Sequence, residues 1–196
     1  CETIENGCDP EDYAVDPPAP ARRPTVFVYA GAVYGYQSPE PFLRALAETG
    51  LRDVEVRVVG DRFGQFASGA RPFPISVEGH RDQKDLGKEF SSASAFFLCL
   101  ATPAGRQLPS KLYEYLGAGR PTFAIAPRGG AVEAWLARTK AGVSVPSEEP
   151  ARWAPALAEF IRRIPEYAPP SPAPFFRKAQ AGTLAGILEG AKGGGS

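Results

Sequence analysis

The chain has 196 residues, enough for one domain with a hydrophobic core, and its 22 lysine and arginine residues balance 22 aspartate and glutamate residues. This balance excludes the broad electrostatic field that nucleic-acid-binding or anionic-membrane-binding proteins use. The sequence contains no apolar run near the roughly 18 to 20 residues that span a bilayer, and no signal peptide, so we expect a cytoplasmic protein without a transmembrane segment.

Three cysteines are too few and too scattered for a disulfide framework, and Cys99 lies in an apolar segment where it would simply pack. Cys1 and Cys8 could pair in an oxidising medium, but a reduced protein is the better interpretation. The sequence has no methionine and ends in GGGS at residues 193–196. We therefore expect a fragment or a processed chain, with its tail either a linker remnant or a natural frayed end.

Strand and helix patterns alternate along the chain. Apolar runs bounded by turn signals predict strands at residues 25–30, 54–59, 75–77, 95–100, 122–126 and 142–145. Helical spacing of apolar residues predicts helices at residues 39–49, 86–92, 111–118, 131–138, 149–164 and 175–189. Residues 61–73 fit either a loop or a short helix.

This alternation predicts an α/β fold, in which a Rossmann-like parallel sheet has helices on both faces. We expect an irregular lead-in at residues 1–23, because prolines are frequent in its second half. Residues 24–164 would form the domain. Residues 165–174 read as a proline-rich linker and residues 175–196 as a C-terminal helix with a flexible tail. Sheets of this kind bind ligands beyond the carboxyl ends of their strands.

The most informative segment is LPSKLYEYLGAGRP, residues 108–121, in which a loop leads into a helix. Ser110 suits the N-cap, so the first amides of the helix would point outward unpaired and attract phosphate. Lys111 adds a positive charge at the same end. Glu114, one turn further, would repel phosphate but could accept hydrogen bonds from two ribose hydroxyls. Alternatively, Ser110 is a plain cap, Lys111 a surface lysine and Glu114 a solvated carboxylate.

This segment resembles the donor-site segment of retaining glycosyltransferases built from two facing Rossmann-like domains, the GT-B type of group 1 and family 4. Weaker similarities follow in the family's order, in TIENGCDPEDY, VRVVGD, ISVEGHR, ASAFFLCLA and GGAVEAW, at residues 3–13, 56–61, 75–81, 93–101 and 129–135. Together they span nearly all of the chain. Similar segments occur in bacterial enzymes that assemble surface polysaccharides.

The resemblance implies the C-terminal, donor-binding domain of such an enzyme, with a nucleotide-diphosphate sugar as substrate. No cofactor and no metal are expected, and the sugar would keep its anomeric configuration. The acceptor site would belong to a missing N-terminal domain. A catalytic side chain would belong to the same domain, so the catalytic residue is unknown in this chain. The last helix crosses back to that domain in the family, so here it would expose an apolar stripe or be free. The full enzyme would be cytoplasmic or peripheral to the inner membrane.

Site roles are implied position by position. Glu114 matches the glutamate that binds the ribose, and Ser110 and Lys111 are the phosphate candidates. Many relatives carry a second glutamate eight positions earlier, where this chain has Arg106, which could instead clamp phosphate or a charged sugar.

The turn after the first strand also departs from the family. It lacks the basic residues that hold the diphosphate in many relatives, although Gly31 would allow close backbone approach. Arg62 could supply the missing charge or form an ordinary salt bridge. Arg81 falls where relatives cradle the base, and the lone His80 is more often incidental than a general base.

Residues 129–133, which open another helix on the same side, are weaker candidates for contacts with donor hydroxyls. A different class of function also fits, namely a non-catalytic module that keeps the fold and a weak nucleotide site. An engineered interaction fragment is a third interpretation.

Overall fold

The computed structural model describes residues 3–13, 23–33, 37–60, 66, 70–101 and 105–193. Within this part of the chain the strands are β1 Thr25–Ala30, β2 Val54–Val59, β3 Ile75–Glu78, β4 Ala95–Cys99, β5 Thr122–Ala126 and β6 Gly142–Pro146. The α-helices are α1 Glu40–Glu48, α2 Gln83–Ser92, α3 Lys111–Gly117, α4 Ala131–Thr139, α5 Trp153–Arg163 and α6 Arg177–Gly193. All strand pairs are parallel, and the sheet order is β3-β2-β1-β4-β5-β6.

The central strands are apolar along nearly their whole length because both of their faces are covered. β4 and β5 are buried at every residue, and β1 is buried at all but its first. The edge strands differ, since Val77 of β3 and Val143 of β6 remain exposed. Continuous apolar runs in the middle of a parallel sheet are the pattern expected for strands between two helical layers. The predicted α/β, Rossmann-like fold is therefore confirmed.

Three apolar clusters hold helices against the sheet, one on the first face and two on the other. On one face, Phe42 of α1 stacks on Phe97 of β4 with ring centroids 4.0 Å apart, and Phe160 of α5 lies in the same cluster. On the other face, Leu112 of α3 and Trp135 of α4 pack over β4 and β5. Burying each such side chain stabilises the fold by roughly 1.5–3 kcal/mol. The second of these clusters holds α3, the helix of the LPSKLYEYLGAGRP segment, against the sheet.

Most element boundaries agree with the sequence within a few residues. The helix predicted at residues 149–164 is shorter, because Pro150–Arg152 forms a 3₁₀ turn before α5 starts at Trp153. The last helix starts at Arg177 rather than at residue 175, because Ala173–Phe175 also forms a 3₁₀ turn. Of the segment left open between loop and helix, Phe66 is helical and residues 61–65 and 67–69 lie outside the described residues.

Two side chains of the lead-in are buried against the domain, which the sequence did not predict. Cys8 and Tyr13 are buried, and Pro10–Asp12 forms a 3₁₀ turn between them. The ring of Tyr13 stacks on Phe90 of α2 at a centroid distance of 5.7 Å. Beyond this turn and an isolated bridge at Cys8, residues 3–13 contain no helix or strand, and residues 14–22 lie outside the described part. Single side chains make these contacts with distant elements, which leaves no periodic pattern in the sequence.

The start of α6 is held by the lead-in. The Cys8 amide donates a hydrogen bond to the Phe175 carbonyl at 3.0 Å, and the Arg177 amide donates to the Cys8 carbonyl at 3.1 Å. Further along, Leu184 and Leu188 are 46% and 55% exposed. The sequence predicts either an exposed apolar stripe or a free helix. The structure shows an exposed apolar stripe on α6, whose start is held by the lead-in. Within the described residues, no helix has the length and apolarity needed to cross a membrane.

Candidate functional site

The site predicted from the sequence lies where the strand order reverses. β1 and β4 are neighbours in the sheet, yet the chain continues from β1 toward β2 on one side and from β4 toward β5 on the other. The connections leaving these two strands therefore diverge and open a crevice at their carboxyl ends. Gly31 follows β1 directly, and α3 begins after the connection from β4. This topology brings Gly31 and Lys111 to the same crevice.

Two glycines let the connections after β1 and β2 approach closely. Gly31 has φ 106° and donates its amide to the Val59 carbonyl at 2.8 Å, while Gly60 has φ 144° and donates to the Glu78 carbonyl at 3.0 Å. A Cβ on Gly60 would lie 2.5 Å from the Gly31 oxygen. Side chains would therefore force these turns apart, and the wall of the crevice is bare backbone.

A cavity of about 260 Å³ opens beside this wall. It is lined by the two glycines and by Ala32, His80, Arg81 and Leu86, among others. The guanidinium of Arg81 forms an ion pair with Glu78 and lies 3.7 Å from a carboxylate oxygen of Glu89. The charge of Arg81 is thus shared between two carboxylates, whereas His80 is exposed at the mouth.

Lys111 turns back against β1 rather than out into solvent. Its Nζ donates a 2.5 Å hydrogen bond to the Tyr29 hydroxyl and lies 4.0 Å from the centre of the Tyr29 ring. A Cβ on Gly31 would lie 3.0 Å from Lys111 Cε, so only a glycine leaves this position open. Burial lowers the pKa of Lys111 to about 8, and the nearby Glu114 carboxylate opposes that change. The lysine therefore sits charged at neutral pH beneath the first turn.

Glu114 lies one turn further along α3 and is half-buried. Burial raises the pKa of its carboxyl group, and Asp12 raises it further, while Lys111 and Arg177 lower it. Within the described part of the chain, the Glu114 carboxylate takes part in no ion pair within 4 Å. Its oxygens are available to accept hydrogen bonds from hydroxyl groups of a ligand.

The predicted cap at Ser110 is wrong in its detail. Ser110 occupies the N-cap position, but its backbone is already helical (φ −56°, ψ −32°) and its side chain makes no capping hydrogen bond. Nor are the first amides all free, because the Leu112 amide donates to the Pro109 carbonyl at 3.2 Å and the Tyr113 amide donates to the Ser110 carbonyl at 3.0 Å. A tight first turn thus uses two of the amides that a capping serine would have left pointing outward. The exposed Ser110 hydroxyl remains a candidate contact.

Arg106 and the start of α4 are the remaining candidates that the structure describes. Arg106 is exposed in a turn next to α4, where the Ala131 amide donates to the Gly105 carbonyl at 2.9 Å. At the start of α4, the Gly129 amide donates to the Glu133 carboxylate at 2.5 Å, so Glu133 is engaged by its own helix start. Arg62 lies outside the described residues.

Three residues of this region were missed by the sequence analysis. Tyr29 holds Lys111, the Tyr115 hydroxyl accepts a 3.1 Å hydrogen bond from the Ala30 amide, and Arg177 interacts electrostatically with Glu114. Tyr115 could have been found, since a tyrosine next to the candidate glutamate on a buried helix needs a partner for its hydroxyl. Tyr29 and Arg177 carry no local signal, because their partners are far away in sequence.

A second, larger cavity of about 420 Å³ lies at the other end of the sheet. It is bordered by Pro121 and Gly142, at the amino ends of β5 and β6, and by the end of α5. Ligands of parallel α/β sheets bind at the carboxyl ends, so this cavity is not the candidate site. Within the described residues, no group of three or more His, Cys, Asp or Glu side chains is arranged to hold a metal ion.

Comparison with known proteins bears on the same region. A family profile described as glycosyl transferases group 1 matches residues 24–163. Among solved structures, sucrose-phosphate synthase from Thermosynechococcus elongatus is 17% identical, with a TM-score of 0.69 over 97% of this chain and 52% of that chain. The lipopolysaccharide outer core galactosyltransferase WaaB is 14% identical, with a TM-score of 0.67 over 97% of this chain and 56% of that chain.

A third similar structure is WaaG, a glycosyltransferase involved in lipopolysaccharide biosynthesis, at 15% identity and a TM-score of 0.65 over 83% of this chain and 47% of that chain. At these identities the likeness concerns the fold. The chain spans about half the length of these structures. A search of curated protein sequences finds no match.

Proposed function

Because the chain belongs to the glycosyl transferases group 1 family and has the Rossmann-like fold of one half of a GT-B glycosyltransferase, we propose that it binds the nucleotide-diphosphate-sugar donor of such an enzyme. The full-length protein would transfer the sugar to a polysaccharide or glycoconjugate acceptor in a bacterium, working in the cytoplasm or at the inner membrane. The acceptor and a catalytic side chain would belong to the other half.

One observation carries this proposal. The bare backbone of Gly31 lies against the Lys111 side chain in the crevice at the switch point, and the same helix presents a half-buried carboxylate at Glu114. A cation beside a glycine wall suits a diphosphate, which needs charge and close approach. A carboxylate one turn away suits a vicinal diol. The lysine and the glycine wall would meet the diphosphate and the glutamate would meet the ribose, so the arrangement matches a nucleotide diphosphate more closely than a lone phosphate.

The phosphates would contact Lys111 and the start of α3. Lys111 now donates to an uncharged hydroxyl on Tyr29, and a phosphate oxygen would form a stronger, charge-assisted hydrogen bond with the ammonium group. The Ser110 hydroxyl is exposed at the same helix start. As the sugar leaves, negative charge grows on the diphosphate, and a fixed cation would stabilise that charge without a metal ion. Arg106 would clamp phosphate or a charged sugar.

The ribose and the base would occupy the remaining space. Glu114 would accept hydrogen bonds from the two ribose hydroxyls, each contributing about 1.5–3 kcal/mol because the acceptor is charged. The base would enter the cavity of about 260 Å³, between the backbone of Gly31 and Gly60 and the side chains of His80 and Arg81. Since Arg81 is held by Glu78 and Glu89, it would offer a flat, fixed guanidinium rather than a mobile charge.

A non-catalytic module is the second candidate. Arg106 stands where a carboxylate toward the donor sugar is expected from the resemblance, and Arg44, the first basic residue after β1, pairs with Glu48 and lies over the Trp153 ring. Neither arginine therefore supplies the contact with the sugar or the phosphates that the resemblance implies. Sugar transfer by the full-length protein would separate the two candidates, because a binding module would show none.

The proposal is tested by calorimetric titration of the purified chain with UDP, GDP and ADP. We expect micromolar binding of one diphosphate, which would also identify the base. Absence of binding both to this chain and to the full-length protein would contradict the proposal.

A further inference from the structure

The Lys111 side chain crosses from one face of the sheet to the other. The helix that carries it, α3, packs over one face through Leu112, whereas Tyr29 belongs to the apolar cluster of the opposite face. The lysine nevertheless ends against Tyr29, with its Nζ 2.5 Å from the hydroxyl oxygen and 4.0 Å from the ring centre. Its stem therefore passes over the carboxyl end of β1, at the crevice.

The glycine after β1 leaves space for this path. A Cβ on Gly31 would lie 3.0 Å from Cε of Lys111 and 3.3 Å from its Nζ. A side chain at this position would crowd the last two atoms of the lysine. The bare backbone wall of the crevice and the place of the Lys111 ammonium group therefore belong to one arrangement.

Tyr29 is a fixed partner for the lysine. It is fully buried, and its ring lies 5.3 Å from the ring of Phe97, centre to centre. An ammonium group can only donate, so the Tyr29 oxygen accepts from Lys111. The Tyr29 hydroxyl itself donates a long hydrogen bond, of 3.4 Å, to the Ala32 carbonyl. One hydroxyl thus links the cation to the turn after β1, which lines the cavity of about 260 Å³.

The contact with Tyr29 leaves the lysine able to bind a ligand. It uses one of the three N–H donors of the ammonium group. Within the part of the chain that the structure describes, no carboxylate lies within 4 Å of Nζ to take another donor. A free lysine would lose side-chain entropy when a ligand fixed it, whereas this lysine is ordered before a ligand arrives.

We propose that Tyr29 is a positioning residue of the donor site, whose hydroxyl holds the Lys111 ammonium group at the carboxyl end of β1, where it would meet the diphosphate. The proposal rests on the proposed function, since the phosphate contact of Lys111 is part of that function. Tyr29 acts through Lys111 and needs no contact with the ligand. Loss of its hydroxyl should therefore weaken nucleotide binding only while the lysine is present.

The groups around the Lys111 ammonium come from several elements. Glu114 on α3 is the charged neighbour that favours the protonated amine, and burial opposes it. Among the described residues, the other titratable side chains near the crevice include Tyr115 on α3 and, at the cavity that Gly31 lines, His80 and Arg81. The variant Tyr29→Phe changes none of these groups, so a change in the Lys111 titration reports the loss of the hydroxyl.

The first measurement follows the Lys111 ε-carbon by NMR in the ligand-free chain, over about pH 6 to 11. We expect Tyr29→Phe to move the Lys111 midpoint to lower pH, because the charged amine loses a hydrogen-bond acceptor. Tyr113→Phe is the matched control and should leave the midpoint unchanged. It removes the same atom from another buried tyrosine, whose hydroxyl donates to Glu5 at 3.4 Å.

The unmodified chain gives a readout that needs no variant. Protons on Cε of Lys111 and on the Tyr29 ring should show a nuclear Overhauser effect, since the two side chains are in contact. Absence of this effect, or an unchanged Lys111 midpoint in Tyr29→Phe, would overturn the positioning role whatever the binding result.

The second measurement is a double-mutant cycle on nucleotide binding. Calorimetry at about pH 7 compares the affinity for UDP, GDP and ADP of Tyr29→Phe, Lys111→Gln and the double variant. For the diphosphate that binds, we expect Tyr29→Phe to lose roughly threefold to tenfold in affinity and Lys111→Gln to lose more. The double variant should bind no more weakly than Lys111→Gln, and Tyr113→Phe should bind like the unmodified chain.

The cycle separates positioning from a structural effect. If Tyr29→Phe lowered affinity by the same factor with and without Lys111, Tyr29 would not act through the lysine, and the proposal would be overturned. The expected NMR shift, together with no binding of any diphosphate to this chain or to the full-length protein, would support the link between Tyr29 and Lys111 and contradict the proposed function instead.

Discussion

At the scale of single residues, burial moves Lys111 and Glu114 toward their neutral forms. The pKa of the lysine falls to about 8 and that of the glutamate rises, although the two groups attract each other. A ligand with an anionic diphosphate and a ribose diol would favour the charged forms of both residues. The donor site would therefore bind best in the pH range where both are ionised, above the pKa of Glu114 and below that of Lys111.

Nucleotide binding should weaken as the pH rises through about 8, because Lys111 is protonated below its pKa of about 8 and neutral above it. Loss of a charge-assisted hydrogen bond, worth about 1.5–3 kcal/mol, corresponds to roughly a tenfold or greater loss of affinity. Calorimetric titration at a series of pH values measures this step, and Lys111→Gln should bind weakly at all of them. Lys140→Gln, at the exposed end of α4, should keep the step. Affinity that stays constant through this range would contradict a phosphate contact by Lys111.

The sequence predicted part of this residue-scale arrangement. Lys111 and Glu114 stand three residues apart in one helical segment, and Gly31 follows a buried strand, so local patterns identified them as candidates. Tyr29 could not be linked to Lys111 in this way, since 82 residues separate them and only the sheet brings them together. The prediction of a side-chain cap at Ser110 was wrong, because the residue type does not determine whether the first helical turn is tight or open.

At the scale of elements, α3 is confined between the sheet and residues 8–13 of the lead-in. Its side chains Leu112 and Leu116 enter the apolar core, and the Tyr115 hydroxyl accepts a hydrogen bond from the end of β1. Gly117 leaves room for the lead-in on the remaining face. The strands and helices were predicted well because each carries its own apolar period, whereas the packing of Cys8 and Tyr13 was not, because these are isolated residues.

Gly117→Ala should destabilise the chain. The added methyl group would lie 3.0 Å from Cys8 and Tyr13, and overpacking of this kind costs about 1–3 kcal/mol. This cost outweighs the gain of up to about 1 kcal/mol from the better helix propensity of alanine. Gly182→Ala in α6 is the matched control, since a Cβ there meets nothing within 4 Å, and it should be neutral or stabilising. The urea unfolding midpoints of the two variants measure this difference, and equal midpoints would mean that the lead-in does not press on α3.

At the scale of the whole molecule, one parallel sheet carries the residues proposed to bind the donor, and Leu184 and Leu188 stay exposed on α6. The fold class was predictable because alternating apolar strands and amphipathic helices admit few arrangements. The placement of α6 was not predictable, since the sequence left open whether its apolar stripe would be exposed or the helix would be free.

The isolated chain should bind a nucleotide diphosphate without transferring sugar. It spans about half the length of the similar solved structures, and transfer requires an acceptor held opposite the donor. Incubation with the sugar nucleotide of the matching base and a mixture of oligosaccharide acceptors should release nucleoside diphosphate no faster than buffer does. Turnover by this chain would show that the acceptor site and the catalytic groups lie within it.

The central claim is that Glu114 binds the donor, and one calorimetric titration tests it most directly. The chain and its Glu114→Ala variant are titrated with the nucleoside diphosphate that binds, at a pH where the glutamate is ionised, with Glu189→Ala on the exposed face of α6 as the control. We predict that Glu114→Ala loses affinity at least about tenfold, because a charge-assisted acceptor of about 1.5–3 kcal/mol per hydrogen bond is removed, and that the control binds as before. Equal affinity of Glu114→Ala and the unmodified chain would contradict the account and remove Glu114 from the site.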